Sequence, residues 1–142
     1  MTTIAYKDGI IAYDSRVTRG TLIDHDDYEK LIQRGAHRVL MSGSGCDFQA
    51  LLDEYLGGKH GDKPLQANAL VITNGKLFNM GHDIESGFWI DEIWAERPFA
   101  MGSGRDFALG AMDMGATAKK AVEIAAGRDA YTGGIIRTIT VV

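Results

Sequence analysis

Thr2, Asp14 and Lys30 supply a hydroxyl, a carboxylate and an ammonium, the groups that a nucleophilic mechanism would draw on. Methionine aminopeptidases usually remove Met1 when the second residue is small, which would leave Thr2 as a free N-terminus. Such a threonine carries both a hydroxyl nucleophile and an α-amine that titrates near ~8 and can accept the hydroxyl proton. Many chains begin Met-Thr, so the neighbours matter more than the threonine alone. Asp14 lies in the largely apolar stretch Ile11-Ala12-Tyr13-Asp14, where a carboxylate is unwelcome unless paired. Lys30 opens a later strand candidate. An Asp–Lys pair beside the threonine would keep the local field positive, favouring an alkoxide and a neutral amine. The alternative is that Asp14 merely ends its strand and Lys30 is solvated, as most charged residues are.

Positioning these groups requires a hairpin. Residues 2–7 and 10–16 read as strands around Asp8-Gly9. A three-residue loop, Lys7-Asp8-Gly9, places Asp14 opposite Thr2; a two-residue Asp8-Gly9 loop places it opposite Thr3 and turns Thr2 to the other face. The three-residue loop is preferred, because it brings the carboxylate to the hydroxyl. Residues 30–34 and 38–41 form a second hairpin about Gly35-Ala36, and Ser42-Gly43-Ser44-Gly45 turns into a helix over 47–56 that ends at Gly57-Gly58. Residues 59–64 read as a polar loop, 69–73 and 76–80 as a hairpin about Asn74-Gly75, and 88–94 as a further strand. A strand at 99–101 leads through Gly102-Ser103-Gly104 into a helix reaching Met114. Thr117 caps another helix with the apolar stripe Ala118, Ala121, Val122 and Ala125, and residues 135–142 form a closing strand. Segregated runs of strands and helices imply layered α+β architecture rather than alternating βαβ units.

The 142 residues fit one domain, 1–142. A net charge of −4 supplies no basic field for nucleic acid or anionic lipid. No run approaches the ~18–20 apolar residues of a membrane span, and the N-terminus lacks the pattern of a signal peptide; a soluble, cytoplasmic protein is expected. Cys46 is the single cysteine, so no internal disulfide forms, and it is expected to pack as a small apolar residue. Eighteen glycines against two prolines indicate many tight turns. His25, His37, His60 and His82 show no shared metal-ligand spacing, and His25 with Asp24, Asp26 and Asp27 reads as a solvated acidic turn. Neither metal nor organic cofactor is expected. Gly102-Ser103-Gly104-Arg105 lacks the lysine of a P-loop. Phe88, Trp89 and Trp94 read as core, or as contacts between subunits if the chain assembles.

Taken in order, these segments resemble the proteasome β-subunit and HslV peptidases. The landmarks are Thr2-Thr3-Ile4, the strand ending at Asp14, Glu29-Lys30, Met41-Ser42-Gly43-Ser44-Gly45, Met101-Gly102-Ser103-Gly104, and Arg128-Asp129-Ala130-Tyr131-Thr132-Gly133-Gly134. The last carries threonine where the family's element has serine. Each is short; together they span nearly the whole chain in the family's order. The resemblance implies a four-layer αββα sandwich of the N-terminal-nucleophile type, with two antiparallel sheets flanked by helices. It implies that Thr2 is the nucleophile, its own amine the proton acceptor, and Asp14 and Lys30 the charged pair that tunes it. Ser103, Asp129 and Thr132 would form a hydrogen-bonded cluster around the amine, and a backbone N–H near Ser42 or Gly43 the oxyanion hole. Read without the resemblance, Ser103 caps a helix, while Asp129 and Thr132 are turn residues. The family further implies a polypeptide substrate, a homo-oligomeric ring and an ATP-dependent unfoldase as partner. The chain is shorter than typical members, which bears on assembly more than on fold. Two other functions fit the same residues less fully: a small-amide hydrolase of this fold, and a non-catalytic ring scaffold.

Overall fold

The computed structural model describes residues 2–59 and 63–142. The chain divides into two compact units, one built from residues up to Lys30 together with Trp94–Val142, the other from Leu31–Ile93.

The first unit contains strands β1 (Thr3–Lys7) and β2 (Ile10–Tyr13), a small hairpin of β3 (Val17–Arg19) and β4 (Leu22–His25), and later elements described below. β1 and β2 join through Asp8-Gly9, with Lys7 paired to Ile10 and Ile4 to Tyr13. Both turn residues have positive φ, 51° at Asp8 and 81° at Gly9. This is the two-residue turn whose twist matches that of the strands, and aspartate is among the few side chains that tolerate it. The three-residue loop expected from sequence is therefore incorrect, and Asp14 falls beside Thr3. Thr2 nonetheless meets Asp14: the Asp14 N–H still bonds the Thr3 carbonyl at 3.3 Å, while its carboxylate accepts the Thr3 N–H at 3.2 Å and reaches on to the Thr2 hydroxyl.

In the second unit, β5 (Leu31–Arg34) and β6 (His37–Gly43) form a hairpin about Gly35-Ala36. A 3-10 turn (Gly45–Asp47) leads into α1 (Phe48–Tyr55), and β7 (Ala67–Thr73), β8 (Lys76–Asp83) and β9 (Gly87–Ile93) follow. All five strands form one antiparallel sheet in the order β5-β6-β7-β8-β9. Leu51 and Leu52 of α1 bury against Val39, Met41, Ala69, Val71 and Met80, one face of that sheet. Ser42 and Gly43 belong to the end of β6 rather than to a turn. The polar loop read over 59–64 lies partly outside the described residues.

Back in the first unit, β10 (Phe99–Gly102) pairs with β1, and β11 (Arg137–Thr140) with β2, giving the antiparallel order β10-β1-β2-β11. Two helices, α2 (Arg105–Asp113) and α3 (Ala118–Ala126), cover one face. There Ala5 and Ala12 pack on Ala108, Met112, Ala118, Ala121, Val122 and Ala125; small residues on both sides let helix and strand backbones approach closely. Thr117 caps α3 by accepting the Lys120 N–H at 3.1 Å. Ile4, Tyr6, Ile11 and Tyr13, on the opposite face, are buried as well. Each unit is thus an antiparallel sheet bearing a helical layer, the α+β organisation that the sequence implies. The expectation that Cys46 packs as a small apolar residue fails, since it is solvent-exposed; Trp94 is exposed too, so of its two readings the core one does not hold.

Candidate active site

Thr2, Asp14 and Lys30 meet in the first unit, at the end of the β1–β2 ladder. All three are buried, with 1%, 0% and 8% exposure. Lys30 Nζ donates to Thr2 Oγ1 at 2.6 Å and to Asp14 Oδ1 at 2.8 Å. The Thr2 hydroxyl in turn donates to Asp14 Oδ1. The threonine oxygen therefore lies between a cation and an anion, its proton directed at the carboxylate. Asp14 also receives backbone N–H groups, from Thr3 at 3.2 Å on Oδ1 and from Gly133 at 3.0 Å on Oδ2. Paired and hydrogen-bonded in this way, a carboxylate can sit in an otherwise apolar interior. Burial pulls the Lys30 ammonium below the ordinary lysine range, and the nearby Asp14 charge opposes that shift in part.

A second cluster lies around the backbone of Thr2 and Thr3. The Ser103 N–H donates to the Thr2 carbonyl at 2.8 Å. The Ser103 and Thr132 hydroxyls both donate to Asp129 Oδ2 at 2.6 Å. With the Thr132 hydrogen so committed, the 2.6 Å contact between the Thr3 and Thr132 hydroxyls has Thr3 as donor. Burial raises the Asp129 carboxyl, but hydrogen bonds from Ser103, Thr132 and the Tyr131 N–H outweigh it and hold it below the usual range. The glycines beside Ser103 follow from close approach. A side chain at Gly102 would collide with the Thr2 carbonyl, and one at Gly104 with the Thr3 hydroxyl and, at 3.2 Å, that of Thr132. Gly102 also has a φ of 97°, which disfavours any side chain.

Ser42 and Gly43 lie in the second unit. Ser42 pairs with Asn68 and Gly43 with Ala67, and just beyond them Ser44 N–H donates to the Gln66 carbonyl at 2.8 Å. Alternation along the ladder turns the Ser42 N–H toward β7 and the Gly43 N–H away from it, on the side where pairing with β5 has already ended at Leu40. Of the two candidates, Gly43 has the N–H suited to receive an outside oxygen.

Sequence reasoning overlooked Thr3, which completes the Asp129 cluster, and the Gly133 N–H, which holds Asp14. It also passed over Arg16, whose guanidinium grips Asp26 through two bonds of 2.9 and 3.1 Å and the Ala130 carbonyl at 3.0 Å. The doubled threonine was the available signal for the first; nothing in composition or spacing marks the others. Among the described residues no group of acidic, histidine or cysteine side chains could hold a metal ion.

Solved structures define the class. The chain matches Thiobacillus denitrificans BPH in complex with epoxomicin at 22% identity, over 97% of this chain and 96% of that one, with a TM-score of 0.70. It matches eukaryotic HslV from Trypanosoma brucei at 18% identity, over 97% of each chain, with a TM-score of 0.71. The fold is proteasome-like. Sequence comparison then reaches further than fold. Proteasome subunit beta 1 of Pyrobaculum aerophilum is 31% identical, over 81% of this chain and 71% of the relative. Proteasome subunit beta 2 of Pyrobaculum islandicum is 30% identical, over 81% of this chain and 72% of the relative. The chain belongs to the proteasome β-subunit family. No protein-family model matches it.

Proposed function

We propose that this protein is a threonine-type peptidase subunit that hydrolyses peptide bonds through Thr2 once Met1 is removed. The observation that carries the reading is the buried contact of Lys30 Nζ with Thr2 Oγ1, 2.6 Å, and with Asp14, 2.8 Å. With Met1 attached, the Thr2 nitrogen is an amide and cannot act as a base. Freed, it becomes an amine on the same residue as the nucleophile. Thr2 Oγ1 attacks the substrate carbonyl carbon while the amine takes its proton. Lys30 stabilises the charge developing on the attacking oxygen, and the family resemblance assigns a backbone N–H near Ser42 or Gly43 to the carbonyl oxygen as it becomes anionic. The C–N bond then breaks as the ammonium protonates the leaving amine, leaving an ester on Thr2. Water attacks that ester, its proton passes to the amine, and Thr2 Oγ1 leaves carrying that proton. Ser103, Asp129 and Thr132 hold the N-terminal segment in place and face the amine. No cofactor takes part.

The subunit would act on polypeptides within a homo-oligomeric ring in the cytoplasm, supplied by an ATP-dependent unfoldase. Among the described residues no helix is long and apolar enough to cross a membrane. The test is hydrolysis of a fluorogenic peptide by protein whose intact mass lacks methionine, compared with Thr2→Ala. A loss of about 10³-fold or more is expected for removal of a nucleophile; equal rates would overturn the assignment.

A further inference from the structure

Lys30 reaches Thr2 from residues 26–30, a stretch between β4 and β5 with no helix and no strand. Fixing each residue of such a segment costs about 1–2 kcal/mol of backbone entropy, so a side chain placed by it to within a fraction of an ångström needs fixed anchors. Two anchors are backbone bonds, Ile135 N–H to the Asp26 carbonyl at 3.2 Å and Tyr28 N–H to the Ser15 carbonyl at 3.0 Å. A third is the grip of Arg16 on Asp26. A further one is Arg137, at the start of β11.

We infer that Arg137 is a positioning residue for Lys30, an assignment that rests on the peptidase reading above. Its guanidinium bonds to the three residues that immediately precede Lys30. Nη2 donates to the Asp27 carbonyl at 3.4 Å, Nη1 donates to the Tyr28 carbonyl at 3.2 Å, and Nε lies 3.4 Å from Glu29 Oε2. Nη1 also donates to the buried Ser15 hydroxyl, next to Asp14. The other Glu29 oxygen accepts from Tyr13 OH at 2.8 Å, and Tyr13 precedes Asp14 in β2. One planar group thus ties the backbone leading to Lys30 to the residues flanking Asp14, fixing both members of the pair relative to one another. The function depends on the fork of a guanidinium. A lysine carries the same charge but is a point donor on a flexible stem and cannot bond the same partners together.

The test is kinetic, on the full-length processed protein and on its Arg137→Met, Arg137→Lys and Glu29→Gln variants. A fluorogenic peptide gives kcat and KM, and capture by a peptide vinyl sulfone, followed by intact mass, reports the nucleophilicity of Thr2 directly. A misplacement on the ångström scale can cost ~10²-fold. Arg137→Met is expected to lose 10- to 100-fold in kcat and in the rate of capture, with KM within twofold, as estimated on that scale. Arg137→Lys should recover less than a tenth of the wild-type kcat, because charge alone does not restore the fork. Should Arg137→Met fail to fold, Glu29→Gln, which keeps the shape and weakens the tether, must lower kcat and capture by roughly threefold or more with KM held. Folded variants with wild-type kcat and capture, or full recovery in Arg137→Lys, overturn the positioning role while leaving the peptidase reading intact. A processed wild type that neither cleaves nor is captured overturns the peptidase reading itself, and this inference with it.

Discussion

At the scale of single residues, Lys30 is a cation kept in a buried place. Lys30 is drawn below the ordinary lysine range by burial, so it releases its proton at a pH lower than the ~10.4 of an exposed lysine. Activity that needs the cation should therefore fall on an alkaline limb below that value, read from kcat/KM against pH. Stability should move the other way. Between the folded and unfolded pKa values the unfolded chain binds the extra proton, so the Lys30 contribution to stability rises with pH across that window. Lys30→Met should lower kcat by roughly 10²–10³-fold, as for loss of a group that stabilises developing charge, and should abolish that alkaline limb; a retained limb would assign it to another group. Asp129 works in the opposite sense. Its carboxyl is held low, so it contributes stability above the ~3.9 of an unfolded aspartate and loses it as pH falls through its depressed value. Asp129→Asn should remove that part of the acid dependence in thermal melts. Thr2, Asp14 and Lys30 could be picked out as candidates from residue type and from the oddity of an acid in an apolar stretch, but choosing their pairing over two unrelated charges took the family resemblance, as did naming Ser103, Asp129 and Thr132. The Gly133 N–H and the Arg137 fork were not legible, because a backbone donor has no letter of its own and an arginine serving carbonyls resembles any surface arginine.

At the scale of elements, the close approach of β10 and the following turn to the N-terminal strand sets the site. Gly104→Ala would drive a methyl group against Ala125 and the hydroxyls of Thr3 and Thr132. A loss of about 1–3 kcal/mol is expected for such overpacking, together with a drop in activity as Thr132 is displaced; an unaltered melt and unaltered rate would contradict the packing described. Thr117→Ala, by contrast, should cost only ~1 kcal/mol through loss of the α3 cap and leave kcat untouched. Hairpins marked by Asp8-Gly9, Gly35-Ala36 and Asn74-Gly75 were legible because their dipeptides suit tight turns, and so was the Ala118–Ala125 stripe. The β3–β4 hairpin was not: its strands are only three and four residues long, none of those residues is buried, and Leu22 and Ile23 stand side by side, so no alternation marks a buried face. The β1–β2 register was misread because both loops were compatible with the strand pattern; it was settled by the tolerance of Asp8 for positive φ. Cys46 went astray for a similar reason, since its place at the 3-10 turn before α1, not its chemistry, decides its exposure.

At the scale of the whole molecule, membership of the proteasome β-subunit family makes self-assembly the expected state. Sedimentation at micromolar concentration should show a closed oligomer, and a monomeric profile would count against the ring. Assembly, however, is secondary to the chemistry at Thr2. The most direct measurement is the intact mass of the purified protein before and after incubation with a peptide vinyl sulfone, with Thr2→Ala alongside. The expected result is a chain lacking Met1 that gains one inhibitor mass, carried on Thr2, and a Thr2→Ala chain that gains none. A chain that has lost Met1 yet remains unmodified, or a Thr2→Ala chain modified as readily as wild type, would contradict it.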